Sequence, residues 1–250
     1  MSLQLDDYER TFINKKEEFS PDCKPLIMDL LRLFNNCIRK NLPLVRSATM
    51  NGEVKKLVDF FSRSKVYDLF YGLWDKQLGK VIEKFRFNKR NLLHIFLPIF
   101  LQEIEGPLKK QFLLINYLLE LDQGRKFKWS EYAHKTIKPR KKPKFIKGIV
   151  DNGVKLSSQY PEIRNMYSGL VVDNKIHYIN LIRRCIAHSD YTIEGQENDL
   201  MLTFPGSRGN LNLTFEQTCA LMTMTFDLIL ILHVAIHLGI RRKELQLHQI

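Results

Sequence analysis

The chain has 250 residues, enough for one large domain or two small ones with a real buried core. Its 44% hydrophobic and 26% charged residues are ordinary for a folded soluble protein. A formal net charge of +12 and an isoelectric point near 9.5 favour polyanionic partners, either nucleic acid or an anionic membrane surface.

The N-terminal MSLQLDDYERTF carries acidic residues where a signal peptide would carry its positive region, and no apolar core follows. From Asp22 to Lys40, the apolar residues Ile27, Leu30, Leu31, Phe34 and Ile38 form the one-sided stripe of a packed helix. A second stripe runs from Val66 to Phe85 through Leu69, Phe70, Leu73, Trp74, Leu78, Val81 and Ile82. The basic run Lys84 to Arg90 interleaves Phe85 and Phe87 with cations, although Phe85 also completes that stripe. Leu92 to Ile104 is apolar, and Pro98 is expected to kink or end it. Pro107 then suits the first position of a helix whose stripe is Phe112, Ile115, Leu118 and Leu119.

Lys135 to Lys147, KTIKPRKKPKFIK, is the main break in composition. Its seven cations, Lys135, Lys138, Arg140, Lys141, Lys142, Lys144 and Lys147, and its two prolines, Pro139 and Pro143, predict an extended, solvated loop. Such a loop could grip RNA, with Trp129, Tyr132 and Phe145 available for stacking, or it could serve solubility alone. Asp173 to Ala187 returns to helical spacing through Ile176, Ile179, Ile182 and Ile186. Short apolar bursts between Tyr191 and Leu213 fit either a small hairpin or an irregular loop.

Thr214 and Gln217 have the spacing of a capping box for the last helix. That helix is expected to run to about Gly239, with Arg241, Arg242 and Lys243 at the negative end of its dipole. Its apolar run, Phe226 to Leu238, is interrupted by Asp227, His233 and His237 and falls short of a bilayer span, so it is expected to be a core helix. His233 and His237 lie one turn apart, as metal ligands can, but their apolar surroundings suit buried histidines better, and no metal is assigned. Cys23, Cys37, Cys185 and Cys219 are scattered and read as reduced core thiols of a cytoplasmic protein. The chain contains no Walker loop, dinucleotide fingerprint or nucleophile elbow, and no cofactor is expected.

The densest chemistry lies in Leu181 to Tyr191, LIRRCIAHSDY. Arg183 and His188 sit near the end of an amphipathic stripe, with Cys185, Ile186 and Ala187 between them and Ser189, Asp190 and Tyr191 beyond. RNA can be cut by its own 2′-hydroxyl if one group moves protons and another stabilises charge on phosphorus. Histidine suits the first task, with an unperturbed pKa of about 6.5. Arginine suits the second, because its planar donors grip phosphate oxygens and it stays charged. Positions five apart on a helix are separated by roughly 140° and about 7.5 Å along the axis. Either the helix ends near Ala187 so that His188 swings round, or two protomers line one cleft.

This segment closely resembles the RN-x-IAH-x-DY form of the HEPN superfamily of ribonucleases, whose pattern is an arginine, four to six residues and a histidine. Arg242 and Arg241 with His248 also satisfy the bare spacing, but they lack the amphipathic context. Arg184 departs from the Asn, Asp or His often found after the arginine: it either strengthens phosphate binding or marks altered or lost catalysis. The resemblance implies an all-α helical bundle with Arg183 and His188 catalytic and Arg184, Ser189, Asp190 and Tyr191 in support. It also implies a homodimer with a composite active site, RNA as substrate, and a toxin or phage-defence role held in check by a cognate inhibitor. On this reading, residues 89–250 form the HEPN-like domain, with a short hairpin or irregular insertion before the last helix, and residues 1–88 form an additional N-terminal helical region. The alternatives are a non-catalytic HEPN-like module that binds RNA or scaffolds a defence complex, and a basic helical protein docking on anionic membranes. Binding of RNA rather than membrane is the expectation.

Overall fold

The computed structural model describes residues 4–19, 22–39, 88–125, 145–172, 174–196, 199–207 and 209–247. The helix expected over Val66 to Phe85, the aromatic residues Phe87, Trp129 and Tyr132, and His248 lie outside the described residues. So do Lys135, Lys138, Arg140, Lys141, Lys142 and Lys144 of the basic loop. The described residues are mostly helical, with one small antiparallel sheet among them. It divides into two compact units, Met1–Ser62 with Lys109–Ile176 and Asp227–Ile250, and Arg63–Leu108 with His177–Phe226.

The first unit contains α1 (Asp7–Phe19), α2 (Cys23–Arg39), α4 (Lys109–Asp122), α5 (Phe145–Leu156) and α6 (Pro161–Val172). It also holds the residues of α8 (Phe215–Leu247) from Asp227 onward. The α2 stripe behaves as expected: Ile27, Leu30, Leu31 and Phe34 are buried. Every residue from Gln111 to Leu119 of α4 is buried, so this is the central helix of the unit. Burying a helix on all sides requires partners for its polar groups. Asn116 Nδ2 donates to the Ile149 carbonyl at 2.8 Å, and its Oδ1 accepts from Tyr167 Oη at 3.0 Å. Tyr160 Oη donates to Asp122 Oδ2 at 2.7 Å and accepts from Asn36 Nδ2 at 2.9 Å. Burial, reinforced by the Asp122 carboxylate, pushes the Tyr160 hydroxyl well above its usual pKa.

Asp6 and Glu9 form a reciprocal capping box at the start of α1: Glu9 N donates to Asp6 Oδ1 at 2.8 Å and Asp6 N to Glu9 Oε2 at 3.0 Å. The same Glu9 carboxylate accepts from Arg242 Nε and Nη2. Arg241 Nη1 reaches Asp6 Oδ2 at 2.7 Å, and its guanidinium lies 4.2 Å from the centre of the Tyr8 ring. These pairs explain why α8 does not stop near Gly239 but continues to Leu247. Gly239 serves close packing instead, since a Cβ there would come within 2.4–2.7 Å of Phe34 ring atoms. The apolar run expected at Phe226 to Leu238 belongs to a longer stretch, Phe215–Arg242. By length and composition that stretch could cross a membrane, a property it shares with core helices of soluble proteins.

The second unit contains α3 (Lys89–Glu103), a π-helical turn (Ile104–Leu108), α7 (Lys175–Ala187) from His177 onward, and the strands β1 (Thr192–Glu194), β2 (Met201–Phe204) and β3 (Leu211–Thr214). Residues Phe215 to Phe226 of α8 complete it. Asn88 caps α3 by accepting from Asn91 N at 2.8 Å. Pro98 is exposed inside α3 and does not end it, contrary to expectation. Pro107 does not open a helix either. It lies within the π-helical turn, where the backbone widens around a residue that has no N–H and whose ring crowds the preceding turn. The strands form a meander in the order β1-β2-β3, with Leu202 paired to Ile193 and Leu213. Leu202 and Phe204 are buried, whereas Met201 is exposed. Thr214 and Gln217 make the expected capping box: Gln217 N donates to Thr214 Oγ1 at 3.2 Å, and Thr214 N to Gln217 Oε1 at 3.0 Å.

Candidate active site

In α7 the apolar positions Ile176, Ile179, Ile182 and Ile186 are buried, together with Leu181 and Cys185. That stripe fixes the rotation of the helix and sets the directions of its two arginines. Arg183 lies at the edge of the buried face with 18% of its side chain exposed. Its Nη1 donates to Glu105 Oε1 at 2.5 Å. Glu105, 37% exposed, sits on the π-helical turn, next to Gly106 and Pro107. Arg184 turns outward and donates from Nη2 to the Pro205 carbonyl at 2.7 Å. The Cys185 thiol approaches the same carbonyl at 3.5 Å.

The helix ends at Ala187 in a Schellman turn. Ser189 N donates to Ile186 O at 3.1 Å, Asp190 N to Cys185 O at 2.8 Å, and His188 N to Arg184 O at 3.1 Å. Ser189 carries the reversal at φ 53°, a left-handed conformation usually given to glycine. The turn holds His188, Ser189 and Asp190 on the surface. Tyr191 is half-buried, its ring 6.1 Å from that of Phe204 on β2. Among the described residues, nothing hydrogen-bonds to the His188 imidazole. Its nitrogens are therefore open to a bound molecule.

Of the residues expected to act together, His188, Ser189 and Asp190 share one terminating turn. Arg183 is joined to Glu105, and no hydrogen bond joins it to His188. Asp190 stops the helix through its backbone N–H, and its carboxylate is not hydrogen-bonded to His188. Replacing Ser189 with Gly is expected to raise stability by about 1 kcal/mol, because the reversal would no longer strain a Cβ. Urea denaturation of the two proteins checks this.

The other cationic candidates have separate fates. Lys147 is exposed on α5 of the first unit. Lys89 pairs with Glu216 at 2.8 Å and lies 5.1 Å from the centre of the Phe215 ring. This cation holds the Glu216 carboxyl below the usual range. Arg90 Nη2 donates to Gly195 O at 3.0 Å and lines a cavity of about 270 Å³ with Asn88, Gln196 and Leu200. Arg241 and Arg242, the rival matches to the motif spacing, are committed to Asp6 and Glu9. His233 is buried, and His237 Nε2 lies 3.4 Å from Tyr8 Oη. Among the described residues, no group of three or more His, Cys, Asp or Glu side chains could hold a metal ion.

Glu105 escaped the sequence reading because it lies 78 positions from Arg183. The local cue in the sequence is a carboxylate directly before Gly106-Pro107 in an otherwise helical pattern. No protein-family model, no curated protein and no solved structure matches the chain.

Proposed function

We propose that the chain is a metal-independent endoribonuclease of the HEPN type that acts as a homodimer. The observation that carries this reading is the His188 imidazole, exposed and without a hydrogen bond among the described residues, at the end of α7 and five residues beyond a mostly buried arginine. In the proposed reaction the RNA 2′-hydroxyl attacks phosphorus, His188 transfers protons, and Arg183 balances charge on the non-bridging oxygens. One imidazole cannot take the 2′ proton and protonate the 5′-oxygen in the same instant. Two protomers facing one linkage supply both. Arg184, Ser189, Asp190 and Tyr191 shape the surroundings, while the basic segment containing Lys135, Lys138, Arg140, Lys141, Lys142, Lys144 and Lys147 grips the RNA backbone. A cytoplasmic toxin or phage-defence effector with a cognate inhibitor fits this chemistry, since uncontrolled RNA cleavage arrests growth.

One observation favours a second reading, a non-catalytic HEPN-like RNA-binding module. The Arg183 guanidinium already holds a carboxylate. The test is purified protein with RNA in EDTA. The enzyme leaves 2′,3′-cyclic phosphate (or its hydrolysed form) and 5′-hydroxyl ends and spares DNA of the same sequence, which lacks the 2′-hydroxyl. Binding without any cutting would replace the enzyme with the module.

A further inference from the structure

We infer that Glu105 is a positioning residue that occupies the phosphate-binding face of Arg183 in the free protein and yields it to an RNA phosphodiester, an inference that rests on the reading above. A guanidinium presents the same planar donors to a carboxylate as to a phosphate, so the two anions compete for one place. The two partners differ in freedom. Arg183 is 18% exposed and anchored in a helix whose apolar face is buried, whereas Glu105 is 37% exposed on a π-helical turn. The carboxylate is therefore the partner that can leave, and π-helical turns of this kind recur where local geometry serves function. The exchange solves two problems together. The free protein keeps a mostly buried cation neutralised and aimed, and the site stays closed to small anions until a ligand with further contacts arrives.

The test uses a 2′-O-methyl oligoribonucleotide, which binds but cannot be cut by 2′-hydroxyl attack. Glu105→Gln keeps the side-chain shape and removes the competing charge, and it is expected to bind this oligonucleotide about five- to tenfold more tightly than wild type. Adding Arg183→Ala to Glu105→Gln should erase the gain. Equal or weaker binding by a folded Glu105→Gln, or a gain that survives the loss of Arg183, overturns the inference. A purely structural ion pair would change melting temperature without tightening binding. The wild-type protein supplies a second measurement: the Arg183 side-chain NMR resonance must move as the oligonucleotide is added, and a resonance that stays fixed while RNA binds also overturns it. Absence of any RNA binding in wild type and variant alike does the same. Cleavage of unmodified RNA is scored separately. Tighter binding in Glu105→Gln with no cutting by any form removes the nuclease and leaves the exchange intact.

Discussion

His188→Ala is expected to lower RNA cleavage in EDTA by about 10²- to 10⁴-fold, the range that a positioned proton-transfer group contributes. RNA binding and melting temperature should stay within experimental scatter of wild type. The imidazole is exposed and makes no hydrogen bond among the described residues, so truncating it removes no interaction that holds the fold. The Schellman turn around it is made of backbone groups and survives the change. This separation gives the experiment its force. Most substitutions that abolish activity also loosen the protein, whereas here a large kinetic loss should appear with an unchanged thermal transition. Undiminished cleavage by His188→Ala would remove the proposed chemistry. Arg183→Ala is a less clean probe, because it also strips Glu105 of its cation.

Arg242→Ala is expected to have the largest effect on stability, about 3–5 kcal/mol, because it leaves a buried carboxylate without its counter-ion. Glu9 is 2% exposed and Arg242 11%, so the pair is largely shielded from water. The loss should lower the melting temperature by roughly 10 °C, at about 2–4 °C per kcal/mol for a chain of this size. Calorimetry of the variant checks it. Replacing both partners with apolar residues, Glu9→Leu with Arg242→Met, should restore much of the stability, since no buried charge then remains. A shift of under about 1 kcal/mol in Arg242→Ala would mean the pair is solvated and behaves like a surface bridge. Arg242 also matches the bare arginine–histidine spacing, so the same variant tests whether that second match has anything to do with RNA. Its cleavage, measured below the transition temperature, should equal that of wild type.

These two arginines illustrate what could be read in one dimension and what could not. Features set by neighbours in sequence were legible: the α2 stripe, the capping box of Thr214 and Gln217, and the end of α7 at Ala187. Each depends on a period or spacing of a few residues, which the chain displays directly. Features set by distant partners were not. Arg242 finds Glu9 across 233 positions, and Arg183 finds Glu105 across 78. Neither pairing leaves a local trace. Gly239 looked like the end of a helix because glycine commonly ends helices, yet here its missing side chain admits the Phe34 ring. The prolines misled for a related reason. Proline weakens a helix by removing one donor and crowding one carbonyl, and an exposed position such as Pro98 or a widened turn such as the one at Pro107 tolerates both. For the candidate site, the sequence displays the residue types and their order, whereas the carboxylate that engages Arg183 lies 78 positions away and leaves no sign there.

The fastening of α1 to the far end of α8 has a consequence for synthesis. Glu9 and Arg242 lie 233 positions apart in the chain, and Asp6 and Arg241 lie 235 apart, so α1 is made long before the arginines that hold it. A nascent chain stopped before Asp227 has made α1 but lacks both arginines, so this unit cannot close until they have been translated.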